Sequence, residues 1–562
     1  MTAPKRLVLF VIALCLLAGS LAVSRDGAEG QKKRAVTAQR RVLEYDVREF
    51  GAKGDGQTLD TAAINQAIEA AAAAGGGTVR FPAGTYLSFS IHLKSNITLY
   101  LDQGVTIVAA DAKEAKGSYD PPEPNEWDKY QDFGHSHWQN GLIWGIGLEN
   151  VSIIGPGLIN GKGLTRGGPR QQRPVQPGDI PPGLTNRPPS ARVPPLATIS
   201  APAVPDSFGD KAISLKLCRN VLLRDISILN GGHFALLATG VDNLTIDNVR
   251  VDTNRDGFDI DACRNVRISN CSVNAPNDDA IVLKTSYALG YARATENVTI
   301  TNCLVSGYDI GSLLDASYKR NVKQAPDRDG ATGRIKFGTE SNGDFRNITI
   351  SNIVFDHCRG LALETVDGAI IEDVAITNIT MRDVVNSPIF LRLGSRLRGP
   401  AGTPVGQLRR VQISNVVAYN ADPRYASIIS GIPGHNIEDV KLSNIHIFYQ
   451  GGGTLAQATL SPPEKEVSYP EPSMFGEMPA YGFFIRHVKG IELNDVEVSY
   501  AQDELRPAFV LNDVNGADFF HVKVQLAKDA FAFVLQNVSD FSTAYCQGVP
   551  DMRLERVEQK KF

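Results

Sequence analysis

The sequence predicts an all-β chain: a right-handed, single-stranded parallel β-helix closed at its start by one capping helix. Three observations predict it. First, a phrase recurs, Asn-Val or Asn-Ile followed by alternating runs, at Asn150-Val151, Asn220-Val221, Asn243-Leu244, Asn265-Val266, Asn297-Val298 and Asn347-Ile348. Looser copies begin near Glu372-Asp373-Val374, Arg410-Val411, Glu438-Asp439-Val440 and Gly490-Ile491. Second, the tightest interval is about 22 residues, within the range of solenoid repeats. Third, apolar and polar residues alternate inside each unit, as at Val266, Ile268 and Val273, the period of strands with one buried face. Such a unit cannot bury its apolar face alone. Stacking about ten coils buries it and leaves a long shallow groove outside. The asparagines at matching turns are expected to form side-chain ladders.

The elements follow in order. Residues 1–24 read as a secretory signal: Lys5 and Arg6, an apolar run from Leu7 to Ala18, then the small residues Gly19, Ser20 and Ala22. That run is too short for a comfortable membrane span, so the expected location is secreted or periplasmic, with no span in the mature chain. Residues 25–44 are a linker, and 45–562 form the β-helix. Asp60 to Ala74 reads as an alanine-rich helix, with Asp60 as N-cap and Gly75-Gly76-Gly77 as the stop. It is placed to cover the open apolar end of the first coil. Three stretches interrupt the repeat: Gly161–Asp210, Asp315–Thr332 and Gly451–Tyr481. Loops of that length on a solenoid usually build functional walls.

A formal net charge of −4 and a pI near 6.2 argue against nucleic acid as a partner. The cysteines beyond the leader, Cys218, Cys263, Cys271, Cys303, Cys358 and Cys546, lack zinc-site spacing and read as free core thiols. Cys271 and Cys303 end the same phrase and should stack in successive coils. Neither a cofactor nor a metal is expected, and the chain is expected to act as a monomer.

Chemistry concentrates between Asn254 and Lys284. Asp256, Asp278 and Asp279 lie about one coil apart, so stacking brings three carboxylates onto one face. Clustered acids repel, and one holds its proton while its neighbours ionise. One carboxyl group can then protonate a departing oxygen while another activates water, the requirement for cleaving a glycosidic bond. Consecutive strand residues point to opposite faces, so the chain must bend at Pro276-Asn277 for both Asp278 and Asp279 to face the groove.

Asn254-Arg255-Asp256-Gly257 resembles the Asn-Thr-Asp-Gly motif of glycoside hydrolase family 28, the polygalacturonase and rhamnogalacturonan hydrolase group. Asn277-Asp278-Asp279 resembles its Gly-Asp-Asp motif. The resemblance runs from about Tyr45 to the last coils and implies a pectin-lyase-like right-handed β-helix and an inverting hydrolase of pectic carbohydrate. Asp278 would then be the general acid, with Asp256 and Asp279 holding the attacking water across a gap of about 6.5–9.5 Å. Two family motifs are altered. Where Gly-His-Gly is expected, the chain has Gly307-Tyr308-Asp309-Ile310-Gly311, which makes Asp309 a candidate contact. Arg-Ile-Lys is expected at Ala362 to Glu364, whereas Arg334-Ile335-Lys336 occurs one coil earlier.

Alternation puts Ile335 and Phe337 inside and Arg334 and Lys336 outside, as substrate cations or as an ordinary solvated charged face. Glu364 in a cation's place would disfavour an acidic sugar beside the scissile bond. Arg392 and Arg396, on the next coil, would supply the missing charge. Lys284 completes the candidate binding set. Trp138, in Gly134-His-Ser-His137-Trp138, is either a stacking platform for a sugar or a wall residue. The insertions before and after the acids suggest an exo-acting enzyme on rhamnogalacturonan-like oligosaccharides. Two other readings compete: a lyase or epimerase using the acids for a metal and Lys284 as base, and a non-catalytic carbohydrate-binding β-helix.

Overall fold

The computed structural model describes residues 44–132, 134–165, 208–321 and 330–562. The leader and linker, and most of the first insertion, lie outside those residues, as do 322–329 of the second.

The described chain is a parallel β-helix, with strands stacked directly on their counterparts one coil away. The sheet that carries the acids runs through Gly141–Ile146, Lys211–Lys216, Phe234–Thr239, Asp256–Asp261, Ile281–Thr285, Ile335–Ser341, Leu361–Thr365, Ile389–Leu393 and Ser427–Ser430. It continues into the first residues of Phe483–Gln502, Phe509–Phe520 and Phe533–Ala544. The stack therefore extends past the ten or so coils expected. Its core is one continuous column of inward residues, among them Val266, Ile268, Val298, Ile300, Ile348 and Ile350.

The repeated asparagine has a physical cause. Asn150, Asn220, Asn243, Asn265, Asn297 and Asn347 all have φ between 54° and 57°, the left-handed region, where Asn is better tolerated than other side chains. The same residues join in a ladder, each amide donating to the one before: Asn220 to Asn150 (2.9 Å), Asn243 to Asn220 (2.9 Å), Asn347 to Asn297 (2.8 Å). A second ladder runs Asn352, Asn378, Asn415, Asn444. One residue type thus makes the corner and ties it to the next coil.

The first coil is covered as expected. Helix Thr61–Ala73 buries Ile64, Ala67, Ile68 and Ala71 against the strands Glu44–Asp46 and Gly77–Phe81. Burying each isoleucine contributes roughly 1.5–3 kcal/mol. Asp60 sits at the N-cap, but its carboxylate accepts from the amides of Lys53 (2.7 Å) and Gly54 (3.0 Å) and not from the helix. It fastens the preceding turn instead. At the far end Met552–Lys561 pairs antiparallel with Phe533–Ala544, which ends the parallel stacking.

Cys218, Cys263, Cys271, Cys303 and Cys358 are buried and free, and Cys546 is half-buried and free. Ser272 pairs with Leu304, so Cys271 and Cys303 stack as expected. No helix among the described residues is long and apolar enough to cross a membrane.

Candidate active site

Asp256 begins its strand opposite Phe234 one coil earlier. The next coil's strand breaks after Asn274 and resumes at Ile281. The bend between them turns both Asp278 and Asp279 toward Asp256, as Pro276-Asn277 suggested. Backbone bonds fix the bend: the amide of Asp278 donates to Ala275 (3.3 Å), Gly333 donates to the Asp278 carbonyl (2.9 Å), and Gly257 donates to that of Asp279 (3.0 Å). Asn254 and Asn277 join through their side chains and lock the two turns together.

One carboxylate oxygen from each of Asp256, Asp278 and Asp279 lies within 4.8 Å of the others. The three acids converge on one face. Asp256 and Asp279 are buried, whereas the Asp278 side chain is 16% exposed. Asp278 is therefore the member best placed to meet a leaving oxygen.

The electrostatics divide the three. Burial and then the neighbouring Asp278 hold the Asp256 carboxyl well above the usual range. Asp278 sits 2.7 Å from Arg255, which favours its ionised form. Asp279 accepts from Arg334 Nε at 2.6 Å and lies 3.4 Å from Lys336. Of the three, Asp256 is the one that burial and a neighbouring carboxylate incline to hold a proton.

A second charged layer lies beneath. Lys284 Nζ is 2.9 Å from Asp259, 3.4 Å from Glu340 and in contact with His135 Nε2. One nitrogen of His135, one oxygen of Asp256 and one of Asp259 lie within 4.8 Å of each other. Burial and Lys284 lower the basicity of His135, but Glu340 and Asp259 outweigh them and bring it to about 9. Arg398 closes the layer on Glu340 (2.6 Å) and Asp132 (2.6 Å). Both acidic groups have the spacing of a cation site, yet Lys284, Arg255 and Arg334 already place positive heads on them.

The remaining expected residues fall differently. Ile335 and Phe337 enter the core, and Arg334 and Lys336 lie on the opposite face, as alternation required. That face is not solvated: Arg334 and Lys336 are only 3% and 1% exposed. The Gly451–Tyr481 segment covers them, with Glu471 gripping Arg334 (3.0 and 2.6 Å) and Arg359 (2.7 Å), and Tyr469 at 3.4 Å from Lys336. Glu364 is fully buried behind them, 3.5 Å from Lys336 and 3.8 Å from Arg334, so it faces protein and not a sugar. Burial pushes its carboxyl up to about 7.

Arg392 does not supply the missing charge. It is buried, donating to Ser430 Oγ (3.0 Å) and to the carbonyls of Gly431 and Glu464 (both 2.9 Å), and so anchors the covering segment. Arg396 is bound to Asp367 (2.9 Å from Nε). Asp309 accepts from the Asn321 amide (3.0 Å) and holds its own loop. Trp138 is no stacking platform. It is wholly buried with Phe234, Leu237 and Ala288, and its indole donates to Thr239 (3.1 Å). Of the proposed binding set, Lys284, Arg334 and Lys336 converge on the acids or the layer below them. Asp309, Arg392 and Trp138 build walls.

Sequence reasoning missed Asp259, Glu340, Arg359 and Glu471. Only Asp259 carried a local signal, being the outward residue three after Asp256.

A family model described as Glycosyl hydrolases family 28 matches residues 207–467, which contain all three acids. Another, Rhamnogalacturonase A/epimerase, pectate lyase-like, matches 45–133. A probable polygalacturonase of Vitis vinifera is 22% identical over 476 residues, covering 78% of this chain and 82% of that protein. An exo-poly-alpha-D-galacturonosidase of Dickeya chrysanthemi is 31% identical over 147 residues, 26% of this chain, and the match spans 24% of that protein's length. The solved family 28 exopolygalacturonase of Yersinia enterocolitica aligns with a TM-score of 0.58 at 18% identity, covering 84% of this chain and 78% of that one, a likeness of fold. With a β-helix, a converging acid triad and a family model that spans it, residues 207–467 form a glycosyl hydrolases family 28 domain, and the chain is a glycoside hydrolase.

Proposed function

We propose that this polygalacturonase-like hydrolase is exo-acting and removes a terminal uronic acid or related sugar from short pectic, rhamnogalacturonan-like oligosaccharides. The observation that carries the reading is the pair of walls beside the acids. On one side Tyr469 and Glu471 close over Lys336 and Arg334. On the other, Trp138 and Ala288 cover Phe234 and Leu237, one coil before Asp256. A groove walled on both sides of its acids favours a chain end over a long chain passing through. The relatives named as exo-acting point the same way. For the leaving sugar, a neutral residue fits, because Arg255, Arg334, Lys336 and Arg359 each already face a protein carboxylate. Asp278 protonates the leaving oxygen, while Asp256 and Asp279 hold the water that attacks. Export follows from residues 1–24 and belongs to the same proposal.

The test is a panel of pectic polymers and oligosaccharides with product analysis over time. Monosaccharide should accumulate from the first minutes, with little change in polymer viscosity. Rapid viscosity loss with little monosaccharide would overturn the exo reading.

A further inference from the structure

An arginine fork that holds a carboxylate through two parallel bonds, backed by a second arginine, is a recognition geometry for an acidic group. Beside Asp279 that geometry is complete, and the carboxylate is the protein's own. Arg334 donates to both oxygens of Glu471, at 3.0 and 2.6 Å, and Arg359 adds a third bond at 2.7 Å. Lys336 stands on the same strand face, against the Tyr469 ring at 5.3 Å. Burial pushes the Glu471 carboxyl up, but Arg334, Arg359 and Lys336 outweigh it and bring it to about 2. Glu471 arrives from a segment 137 residues away, held down by Arg392 and Arg486 through the carbonyls of Glu464, Pro462 and Pro463.

We infer that Glu471 is a specificity-determining residue: it fills an anion site beside the reacting acids and so excludes an acidic sugar from the position next to Asp279. Arg334 uses its remaining nitrogen on Asp279 at 2.6 Å, so the same cation links the filled site to the acids. The inference rests on the hydrolase reading for its consequence, but not for the binding itself. Without Glu471, Arg334 and Arg359 are buried cations that lack their shared carboxylate, a destabilised state that a small anion relieves.

The experiment reads binding apart from turnover. Wild type and Glu471→Ala are titrated with sodium acetate, and then with D-galacturonate, by thermal shift at constant ionic strength. Acetate should raise the melting temperature of Glu471→Ala by several degrees and leave the wild type unchanged. D-Galacturonate should bind the variant at least tenfold more tightly. A folded variant that responds to neither anion, or a wild type that binds galacturonate equally well, overturns the inference. If Glu471→Ala does not fold, Glu471→Gln keeps the size and removes the charge. Its KM for an oligosaccharide with a uronate beside the scissile bond should fall at least tenfold against the neutral-sugar counterpart, and an unchanged ratio overturns the inference. Absence of hydrolysis by the wild type would sink the functional reading while leaving the anion titration intact.

Discussion

Arg255 lies 2.7 Å from Asp278, with both side chains partly exposed at 22% and 16%. The guanidinium sits on the carboxylate that should donate a proton, which favours the wrong protonation state in the free enzyme. Substrate entry changes that balance. A sugar ring excludes water from Asp278 and raises the cost of its charge, which favours passing a proton from buried Asp256 to the more exposed partner. Arg255→Gln removes the cation that opposes this transfer. The alkaline limb of kcat/KM should move to higher pH, and an unmoved limb would separate Arg255 from the acid's titration.

Replacing the acid itself has a sharper signature. Asp278→Asn should lower kcat on natural oligosaccharides by roughly 10²–10⁴-fold. On an aryl glycoside, whose leaving group needs no proton, most activity should remain. Asp256→Asn and Asp279→Asn should fail on both substrates, because the water is then unactivated whatever the leaving group. Equal losses for Asp278→Asn on both substrates would remove it from the role of acid.

The layer below the triad sets the base. Lys284 lowers the proton affinity of Asp256, although burial and Asp278 outweigh it. In Lys284→Met, Asp256 should hold its proton to still higher pH, moving the acidic limb of the rate profile upward. The same change leaves Asp259 and Glu340 short of a cation and should cost about 3–5 kcal/mol in stability, measured by urea unfolding. A lower stability with an unmoved limb would make Lys284 structural alone.

Glu364 links the fold to pH with the opposite sign from most carboxylates. Its carboxyl is raised to about 7 from an ordinary value near 4.5, so the folded state binds more protons than the unfolded chain between those values. Its contribution to stability is therefore complete below about pH 4.5 and is lost as pH rises to about 7. Asp261, pushed up to about 6 by burial, acts in the same direction. Glu364→Gln should flatten the melting temperature between pH 5 and 7, and an unchanged slope would place the linkage elsewhere.

How much of this was legible in the sequence depends on the range of each interaction. Asn243 and Asn265 announced the coils because a left-handed corner and a ladder both demand that residue at a fixed interval. Asp256, Asp278 and Asp279 were legible because the motifs are local and one stacking step joins them. Alternation also gave the right face for Lys336 and Arg334. It could not show what covers that face, since Glu471 and Tyr469 arrive from a distant, aperiodic segment. Trp138 misled for the same reason: an aromatic before the coils reads alike as a platform or a wall until its neighbours Phe234 and Ala288 are placed. Glu364 was correctly placed one coil beyond Lys336, but its burial behind two cations is a property of the covered sheet.

The close approach of the acids bears on stereochemistry. One oxygen of each acid lies within 4.8 Å of the others, close enough for the acids to act on one water or one anomeric carbon. Distance alone does not decide, because a retaining enzyme needs an ionised, unencumbered carboxylate aimed at the anomeric carbon. Asp279 gives one oxygen to Arg334 at 2.6 Å and places the other 3.4 Å from Lys336, which blunts it as a nucleophile. Asp256 is buried, and its Oδ1 has no hydrogen-bond partner in the protein, a position suited to a water donor. Two fixed acceptors around one water favour direct displacement. The first product seen by proton NMR, before mutarotation, should carry the inverted anomeric configuration. A retained anomer, or a covalent glycosyl-enzyme trapped on Asp256 or Asp279, would show that the short spacing serves a double displacement instead.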